Sequence, residues 1–470
     1  MSKKKIHFNA FEMNTINHLA HGLWTHPEDT RTQYNTPEYW VNLAQLLEKG
    51  LFDSLFLADV AGVYDVYQGS QDAAIKRGMQ VPINDPAINV GVMLASTKHL
   101  GFALSTTTSY EDPFNVARRF STLDHLSRGR LGWNVVTSAL ESAAKNHGHS
   151  QIIAHDERYA IAEEFLDVCY KLWEHSWEED AVVVDKANTV YTQPDKVHKI
   201  NHQGKYFKVQ GPHLCEPSKQ RTPVIFQAGS SATGQRFAAQ HAEGVFVGGF
   251  NPQKIAETVK SIRAQAVAYG RQANDIKCFG SMMVITAPTE AELQDKLTLL
   301  EKHYLPESSF IQFSGSSGID LGHLQEDEDY AERKTEGNQT TANLYRDAKT
   351  SQGKAFSVAD VKADLSRFGS RTLFVAGTPD VVADQIEAWI DQTDLDGFNV
   401  YQAVTPNTLK DFVELIVPEL QRRDRYRKQY EDSSFRDRLF GQGDRLNSRH
   451  PAHQSTLEIE KNEQYFTAAV

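Results

Sequence analysis

Polar residues collect where four apolar runs of the sequence end. One run, GRLGWNVVTS at 129–138, carries an asparagine in its middle and ends in threonine and serine. A strand that only builds core gains nothing from a buried amide. We therefore predict that these positions face a bound ligand; ordinary loop chemistry is the alternative for any one of them. The set is Asp59, Ser105, Thr107, Asn134, Thr137, Ser138, Gln227, Gly229, Ser230 and Ser231.

The segment QAGSSATGQRFA has the composition of an anion site. Gly229, Ser230 and Ser231 stand between an apolar run and the first turn of a helical pattern. Backbone N–H groups at a helix N-terminus bind phosphate well, and neighbouring hydroxyl groups add hydrogen bonds. A serine that merely caps the helix is the equally simple alternative.

A second helix start, HDERYAIAEEF, places His155 and Tyr159 one turn apart on one helix face. These side chains could touch a phosphate or the edge of a ring. The alternative is that Asp156 caps the helix and Tyr159 is half-buried.

Three histidines, His18, His21 and His26, follow the first apolar run. Their spacing lacks the paired histidines or the carboxylate of a helical zinc site, so no metal is predicted. We expect them to line a pocket with polarisable imidazoles. No Gly-x-Ser-x-Gly elbow follows a strand, which excludes an α/β-hydrolase.

Eight apolar runs alternate with helical patterns and must position these groups. Strands separated by helices form right-handed crossovers and a parallel sheet, and eight of them favour a closed (β/α)8 TIM barrel, whose active site lies at the C-terminal ends of the strands. An open doubly wound sheet is the alternative, weakened because no Gly-x-Gly-x-x-Gly follows the first strand. The predicted strands are Ile6–Phe11, Phe52–Asp59, Gly101–Thr107, Arg130–Thr137, Pro223–Gln227, Gly244–Val247, Ile276–Thr286 and Gly397–Gln402.

We predict one barrel domain over residues 1–440, with insertions at about 62–84, 174–222 and 304–371. The last insertion is long enough to be functional or disordered. The chain from Arg423 onward is rich in charge and is expected to wrap a neighbour or to fray, and residues 441–470 form a tail.

The formal charge of −12 argues against nucleic acid or an anionic membrane as partner. Three widely spaced cysteines suit a reducing compartment, and no secretory signal or membrane-spanning run is visible. The cytoplasm is the expected location.

Taken together, several motifs resemble the bacterial-luciferase-like superfamily. Within it they are similar to the branch of nitrilotriacetate, pristinamycin-synthase, dibenzothiophene-sulfone, alkane and dimethyl-sulfide monooxygenases. They include FNAFEMN, HGLWTHPEDT, LLEKGLFDSLFLADV, STLDHLSRGRLGWNVVTS and HDERYAIAEEFLDVCYKLWE. The resemblance spans about residues 5 to 440. It implies reduced FMN as cofactor, a separate NAD(P)H:flavin reductase, dioxygen as co-substrate, a C4a-(hydro)peroxyflavin, and a homodimer or homotetramer.

The resemblance also implies roles for individual residues. Asp59, Ser105, Thr107, Asn134, Thr137 and Ser138 would lie at the isoalloxazine, and His155, Tyr159, Gly229, Ser230 and Ser231 at the ribityl chain and phosphate. His18, Tyr64 and Gln80 would line the substrate pocket. Histidine titrates near neutral pH, so His18 could handle a proton.

Three positions depart from the alkane-oxidising pattern. Thr15 stands where a cysteine is expected, and Ala139 and Gln312 stand where histidines are expected. An alkane, a dialkyl sulfide or a related organosulfur compound therefore all stay open as substrates. A deazaflavin-dependent oxidoreductase and a non-catalytic flavin-binding barrel are the alternative functions.

Overall fold

A computed structural model describes residues 4–229, 231–335, 337–346, 350, 353–370 and 372–453. Its strands are, in chain order, β1 (His7–Met13), β2 (Ser54–Ala58), β3 (Gly101–Thr107), β4 (Leu131–Val136), β5 (Val182–Asp185), β6 (Val190–Thr192), β7 (His202–Gln203), β8 (Lys208–Val209), β9 (Val224–Ala228), β10 (Gly244–Phe246), β11 (Lys277–Thr286), β12 (Leu373–Gly377) and β13 (Gly397–Tyr401).

Eight of these strands form a closed parallel barrel. They run in the order β1, β2, β3, β4, β9, β10, β11 and β13, and β13 pairs back to β1 with Asn9 opposite Asn399. Each corresponds to a run predicted from the sequence, to within a few residues. The predicted (β/α)8 TIM barrel is confirmed, and the open sheet is excluded because both edges of the sheet are joined.

The helices are α1 (Pro37–Lys49), α2 (Asp72–Arg77), α3 (Pro86–Leu94), α4 (Pro113–Ser127), α5 (Glu141–Asn146), α6 (His155–Tyr170), α7 (Ala232–His241), α8 (Pro252–Ala268), α9 (Glu290–His303), α10 (Pro306–Ser317), α11 (Gln339–Arg346), α12 (Val358–Leu365), α13 (Pro379–Thr393), α14 (Asn407–Asp411), α15 (Val417–Arg422) and α16 (Phe435–Phe440). Several begin with proline in the first turn behind a polar cap. In α4, for example, the Asp112 carboxylate accepts the N–H of Asn115, which satisfies a donor that the helix leaves open.

A column of phenylalanine rings fills the barrel. Phe56 packs on Phe11 and Phe246 with ring centroids 4.9 and 4.6 Å apart, and Phe226 continues the column toward the N-terminal ends of the strands. Glycines make room for it, since a Cβ on Gly244 would lie 2.4 Å from the Phe226 ring. Large and small residues on neighbouring strands thus fill the interior together.

A ninth parallel strand, β12, was not predicted. It pairs with Met282–Thr286, the C-terminal half of β11, and so lies outside the closed ring. Its short apolar run lies just after the predicted 304–371 insertion, and periodicity alone does not distinguish a short buried strand from a helix segment.

The three predicted insertions contain ordered elements. The first holds α2, and the second holds two small antiparallel sheets, β5–β6 and β7–β8. The third holds α10 to α12, which enclose an apolar cluster that includes Phe313, Tyr330 and Val361. Because this cluster is buried within the insertion, the segment packs as a unit at the mouth of the barrel.

The expectation that the chain wraps a neighbour or frays from Arg423 is wrong as far as His453. Phe435 is fully buried and closes the N-terminal end of the barrel against Phe226, with ring centroids 5.9 Å apart. The Arg436 guanidinium is bound to Glu243 at 2.7 and 2.9 Å. Arg427 and Arg449 likewise pair with the buried carboxylates of Asp53 and Asp275. Nowhere in the described ranges is a helix long and apolar enough to cross a bilayer.

Candidate active site

The ends of β3 and β4 carry two adjacent polar pairs. Ser105 and Asn134 are in register, and the Asn134 amide donates to Ser105 Oγ at 2.8 Å. The other atom of that amide, Asn134 Oδ1, is buried without a hydrogen-bond partner. A buried acceptor without a partner costs free energy, so this oxygen suits a ligand that donates a hydrogen bond.

The second pair lies just beyond the first along both strands. Ser138 donates to Thr107 Oγ1 at 2.9 Å, and the same threonine hydroxyl accepts the N–H of Ser109 at 3.1 Å. Ser138 has φ 38°, in the left-handed region. Thr137 is held through its backbone, because its carbonyl accepts from the Ser109 hydroxyl at 2.9 Å. A non-glycine residue with positive φ is costly and is often found where a strand end must present its side chain to a ligand.

Three elements, namely the end of β9 and the starts of α6 and α7, build a cradle around the hydroxyl of Tyr159. Ser231 caps α7 by accepting the N–H of Gly234 at 3.0 Å, and it faces His155 Nε2 at 3.4 Å. A Cβ on Gly229 or Gly234 would lie 3.1 or 2.8 Å from Tyr159 Oη. Glycine at these positions therefore leaves room for a group to approach the start of α7.

Two more groups complete the cradle. Gln227 Nε2 lies 3.5 Å from Tyr159 Oη, and Gln227 Oε1 is buried without a partner. Burial raises the pKa of Tyr159, so its hydroxyl stays protonated and can donate. Ser230, which the sequence also assigned to this site, lies outside the described residues.

Asp59 follows β2 at the mouth of the barrel. Burial, and then the charges of Asp85 and Glu111, raise its pKa to about 7. The carboxyl is therefore about half protonated near neutral pH. Such a group can hold or release a proton where an ordinary aspartate could not.

His18 lies on a different part of the mouth, after β1. Its ring meets the Phe11 ring edge-on at 4.9 Å, and burial with the nearby His21 lowers its pKa to about 3. The expectation that this imidazole titrates near neutral pH is wrong, because burial disfavours the charged ring. His18 is neutral around pH 7 and can only exchange hydrogen bonds there.

Gln312 of α10 ties the insertion to this histidine segment. Its Oε1 lies 2.8 Å from His21 Nε2, and its Nε2 donates to the His18 carbonyl at 3.3 Å. Since a carbonyl oxygen can only accept, His21 carries its proton on Nε2. A cavity of about 60 Å³ lies beside this pair, lined in part by Met283, Tyr401 and Thr372.

Tyr64 and Gln80, the other predicted substrate residues, lie in the first insertion. Tyr64 packs its ring on Gly315 and belongs to a cluster with Met79 and Ile311. Gln80 is 4% exposed, has φ 52° and donates its backbone N–H to the Asn17 carbonyl at 3.0 Å. Tyr64 thus joins the first insertion to α10, and Gln80 joins it to the segment after β1.

The structure joins the predicted residues into two groups. The first links the ends of β3, β4 and β9 with the starts of α6 and α7, and the second links the segment after β1 with α10. The three histidines that follow β1 diverge, because His21 turns to Gln312 and His26 faces His303 at 5.5 Å. In the described part of the chain, no group of three or more His, Cys, Asp or Glu side chains could hold a metal ion.

Asn14 is a candidate site residue that the sequence did not indicate. It directly follows β1, is fully buried, and neither atom of its amide has a hydrogen-bond partner. The rule that identified Asp59, a polar residue directly after a strand, applies equally to Asn14. Asn14 was not identified because Glu12 and Asn14 alternate with apolar residues in the run FEMN. This alternation is typical of any half-exposed strand.

Known proteins resemble this chain over most of its length. A family model described as luciferase-like monooxygenase matches residues 19–395. Long-chain alkane monooxygenase of Geobacillus thermodenitrificans strain NG80-2 is 48% identical over 440 residues, which cover 94% of this chain and 95% of that protein. Dimethyl-sulfide monooxygenase of Hyphomicrobium sulfonivorans is 45% identical over 453 residues, covering 96% and 94%.

Solved structures agree with these matches. A crystal structure of long-chain alkane monooxygenase has a TM-score of 0.90 at 47% identity and covers 96% of this chain and 100% of its own. Riboflavin lyase, solved with modified FMN and riboflavin, has a TM-score of 0.90 at 38% identity and covers 96% and 99%. Because the matches cover nearly the whole chain, the likeness includes both the barrel and its insertions.

Proposed function

We infer the function from one premise: this chain belongs to the family of luciferase-like monooxygenases. It is a flavin-dependent monooxygenase. We propose that its flavin is FMN, received in the reduced form from a separate NAD(P)H:flavin reductase. We further propose that one oxygen atom of O2 passes to a small organic substrate, either an alkane, a dialkyl sulfide or a related organosulfur compound.

The observation that carries the FMN proposal is the cradle at the start of α7. A phosphate there would meet the Ser231 and Tyr159 hydroxyl groups, His155 and the backbone N–H groups of the first turn, an arrangement that favours an anion. Gly229 and Gly234 keep the space open, since a Cβ on either would come within 3.1 Å of Tyr159 Oη. The unpaired oxygens of Asn134 and Gln227 suit the donor groups of a ribityl chain or a reduced ring.

Reduced flavin, when bound, supplies the two electrons that let dioxygen place one atom on the substrate and release the other as water. The chain's own residues do the rest. Ser105, Thr107, Asn134, Thr137 and Ser138 would orient the ring. The insertion of α10 to α12 covers the mouth and would keep water from the reacting atoms.

Proton handling falls to Asp59 rather than to His18 in this proposal. The pKa of Asp59 is about 7 and that of His18 is about 3. At neutral pH only the carboxyl can both keep and give up a proton. His18, Tyr64 and Gln80 would shape the substrate pocket.

The substrate is the least restricted part of the proposal. Thr15 is engaged in the fold, because its hydroxyl donates to the Pro82 carbonyl at 2.7 Å. Gln312 is occupied by His21. Two of the three departing positions are thus hydrogen-bonded within the chain, and we keep both C–H and sulfur substrates in the proposal.

The remaining features of the proposal follow the sequence. We propose the cytoplasm as the compartment, neither nucleic acid nor membrane as partner, and a homodimer or homotetramer as the assembly.

The proposal is tested by ligand binding and by turnover. FMN binding is measured by fluorescence quenching for the wild type, for Gly234→Val, which fills the cradle, and for Gly270→Val as a control on an exposed turn. Gly234→Val should weaken FMN binding by about tenfold or more, while the control should lower thermal stability at most. Equal FMN affinity of Gly234→Val and wild type would remove the phosphate site.

Turnover is assayed with a generic flavin reductase, NADH and O2. Alkanes, dialkyl sulfides and sulfones are compared by product mass, with released hydrogen peroxide as the measure of uncoupling. Product with one added oxygen atom is the expected result. Turnover supported only by a reduced deazaflavin would contradict the proposal.

A further inference from the structure

A cleft between α9 and α14 has the dimensions of a small-molecule site. Its volume is about 360 Å³, and its floor consists of Val284 and Ile285 of β11, Leu300 of α9 and Val404, which follows β13. These four side chains are at most 4% exposed. Ligand sites are typically clefts of about 300 to 1,000 Å³ with mainly apolar walls and a few polar groups. None of the described residues around this cleft belongs to the flavin cradle.

His26 brings a hydrogen-bond donor to the wall of this cleft. Its Nδ1 accepts the backbone N–H of Glu28 at 3.2 Å. Burial lowers the pKa of His26, so the ring is neutral near pH 7 and carries its proton on Nε2. Among the described residues nothing accepts a hydrogen bond from this Nε2. The N–H is therefore available to a ligand.

Thr408 of α14 brings a second uncharged donor to the cleft. Its Oγ1 accepts the backbone N–H of Val404 at 3.0 Å, which leaves the hydroxyl hydrogen unused. Within the part of the chain that the structure describes, that hydrogen has no acceptor. Thr408 and His26 are each 6% exposed. Two nearly buried donors beside an apolar floor call for a ligand that offers an acceptor atom.

The charged groups around the cleft are already satisfied or lie in water. Lys296 Nζ donates to the Asp411 carboxylate at 2.6 Å, and Asn407 Nδ2 donates to the Glu28 carboxylate at 2.8 Å. The two other charged residues of the rim are exposed and opposite in sign: Asp295 and Lys410. A charged ligand would lose its hydration over the apolar floor without gaining an unpaired counter-charge. The cleft therefore favours an uncharged ligand.

We propose that this cleft binds a neutral organic molecule with an alkyl body and an oxygen acceptor, the class of medium-chain alcohols, ketones and sulfoxides. The alkyl body would cover the floor, and the oxygen would accept from His26 Nε2 and Thr408 Oγ1. Mono-oxygenated products of the proposed reaction belong to this class, and that link alone rests on the proposed function. Binding at the cleft is measured without flavin or O2, so its failure and the failure of the proposed function are distinguishable.

Isothermal titration calorimetry of the full-length protein with 1-octanol tests the site. Octanoate and octylammonium carry the same alkyl chain and report the effect of charge. 1-Octanol should bind to wild type, and each charged analogue should bind at least about tenfold more weakly. The carboxylate would lose its hydration, and the ammonium group has no acceptor for the two donors.

Two pairs of variants locate the binding. Leu299→Trp places a large side chain in the cleft and should abolish 1-octanol binding, whereas Ile88→Trp, in a separate cleft of about 330 Å³ beside α1 and α3, should not change it. His26→Phe removes one donor and should weaken binding by about fivefold. His303→Phe is its control, because that ring lies 5.5 Å from His26 but does not line the cleft.

Circular dichroism and FMN binding report whether each variant folds. Three results would overturn the proposal: no 1-octanol binding to folded wild type, wild-type affinity in Leu299→Trp, or equal loss of affinity in Leu299→Trp and Ile88→Trp. Octanoate or octylammonium binding more tightly than 1-octanol would overturn the assignment of a neutral ligand. Equal affinities of His26→Phe and wild type would remove His26 from the site and contradict the predicted acceptor contact.

Discussion

At the scale of single residues, burial decides which group carries a proton. A histidine is the usual choice near neutral pH, yet His18 has a pKa of about 3 and Asp59 a pKa of about 7. Burial drives both shifts, in opposite directions, because it disfavours the charged form of each group. The ordinary pKa of a residue type therefore does not give its pKa in the folded chain, and Asp59 as the proton carrier stays a prediction.

Asp59→Asn should change how stability depends on pH. The carboxyl ionises near pH 3.8 in the unfolded chain and near pH 7 in the folded one. Between these values the folded state holds the extra proton, so wild type loses stability as pH rises. An amide at this position cannot ionise, and the variant should gain about 4 kcal/mol relative to wild type as the pH rises from about 4 to about 8.

Urea unfolding at a series of pH values measures this gain. Asp85→Asn is the matched variant, because it keeps the helix cap but removes a like charge beside Asp59. Asp85→Asn should lower the pKa of Asp59, so the loss of stability with rising pH should end at a lower pH than in wild type. A pH-independent difference between Asp59→Asn and wild type would contradict the assignment.

At the scale of elements, the barrel depends on pairs of large and small residues on neighbouring strands. Phe226 on β9 lies over Gly132 on β4 and Gly244 on β10, where added Cβ atoms would lie 2.9 and 2.4 Å from its ring. Close-packed interiors do not absorb even one added methyl group at such distances. These glycines are therefore packing residues rather than turn residues.

Gly244→Ala should destabilise the fold by about 1 to 3 kcal/mol, because the new methyl group overlaps the Phe226 ring. Phe226→Leu alone should also destabilise, by leaving a cavity. The double variant should be more stable than the sum of the two effects predicts, since leucine vacates the space that the methyl group needs.

Chemical denaturation of the four proteins gives the coupling free energy. Strict additivity would show that the two side chains do not compete for one space. Gly441→Ala is the control for glycine replacement itself, since no atom lies within 4 Å of its added Cβ, although its φ of 64° carries a conformational cost.

At the scale of the whole molecule, the two ends of the barrel have different tasks. The C-terminal ends of the strands carry the candidate active site, and the N-terminal ends are sealed by the segment after Arg423. Asp53, fully buried at the sealed end, is bound by Arg427. Burial would raise its pKa, but Arg427, His7 and Arg438 hold the pKa well below its usual range.

Acid should therefore loosen the sealed end first. A carboxylate with a depressed pKa contributes stability above its unfolded pKa of 3.8, and that contribution is lost as pH falls below it. Wild type should lose stability steeply below about pH 4. Asp53→Asn should be less stable at pH 7 by about 3 kcal/mol, with a flatter acid limb, since Arg427 is left without its charge partner.

Thermal unfolding between acid and neutral pH measures both effects. Asp432→Asn, an exposed carboxylate on the same segment, should follow wild type throughout. An acid limb of Asp53→Asn as steep as that of wild type would place the acid sensitivity elsewhere in the molecule.

The sequence alone determined the elements and the class of fold. Strand Gly101–Thr107 has the predicted bounds, because an apolar run and the residues that end it are local properties that neighbouring residues carry. Polar residues at strand ends indicated Ser105, Asn134 and Ser231 for the same reason. Strand β12 was not predicted because a short apolar run after a long insertion does not indicate which strand it will pair with.

Only the tertiary structure decided what joins these elements. Gln312 meets His21 across 291 positions of the chain, and Phe435 closes a barrel that begins at His7. The protonation of Asp59 and His18 depends on burial and on charges brought near by folding. Periodicity depends on residues that are neighbours along the chain. Packing, the closing of the barrel end and the pKa values depend on residues that are neighbours in space, which the sequence does not specify before the chain folds.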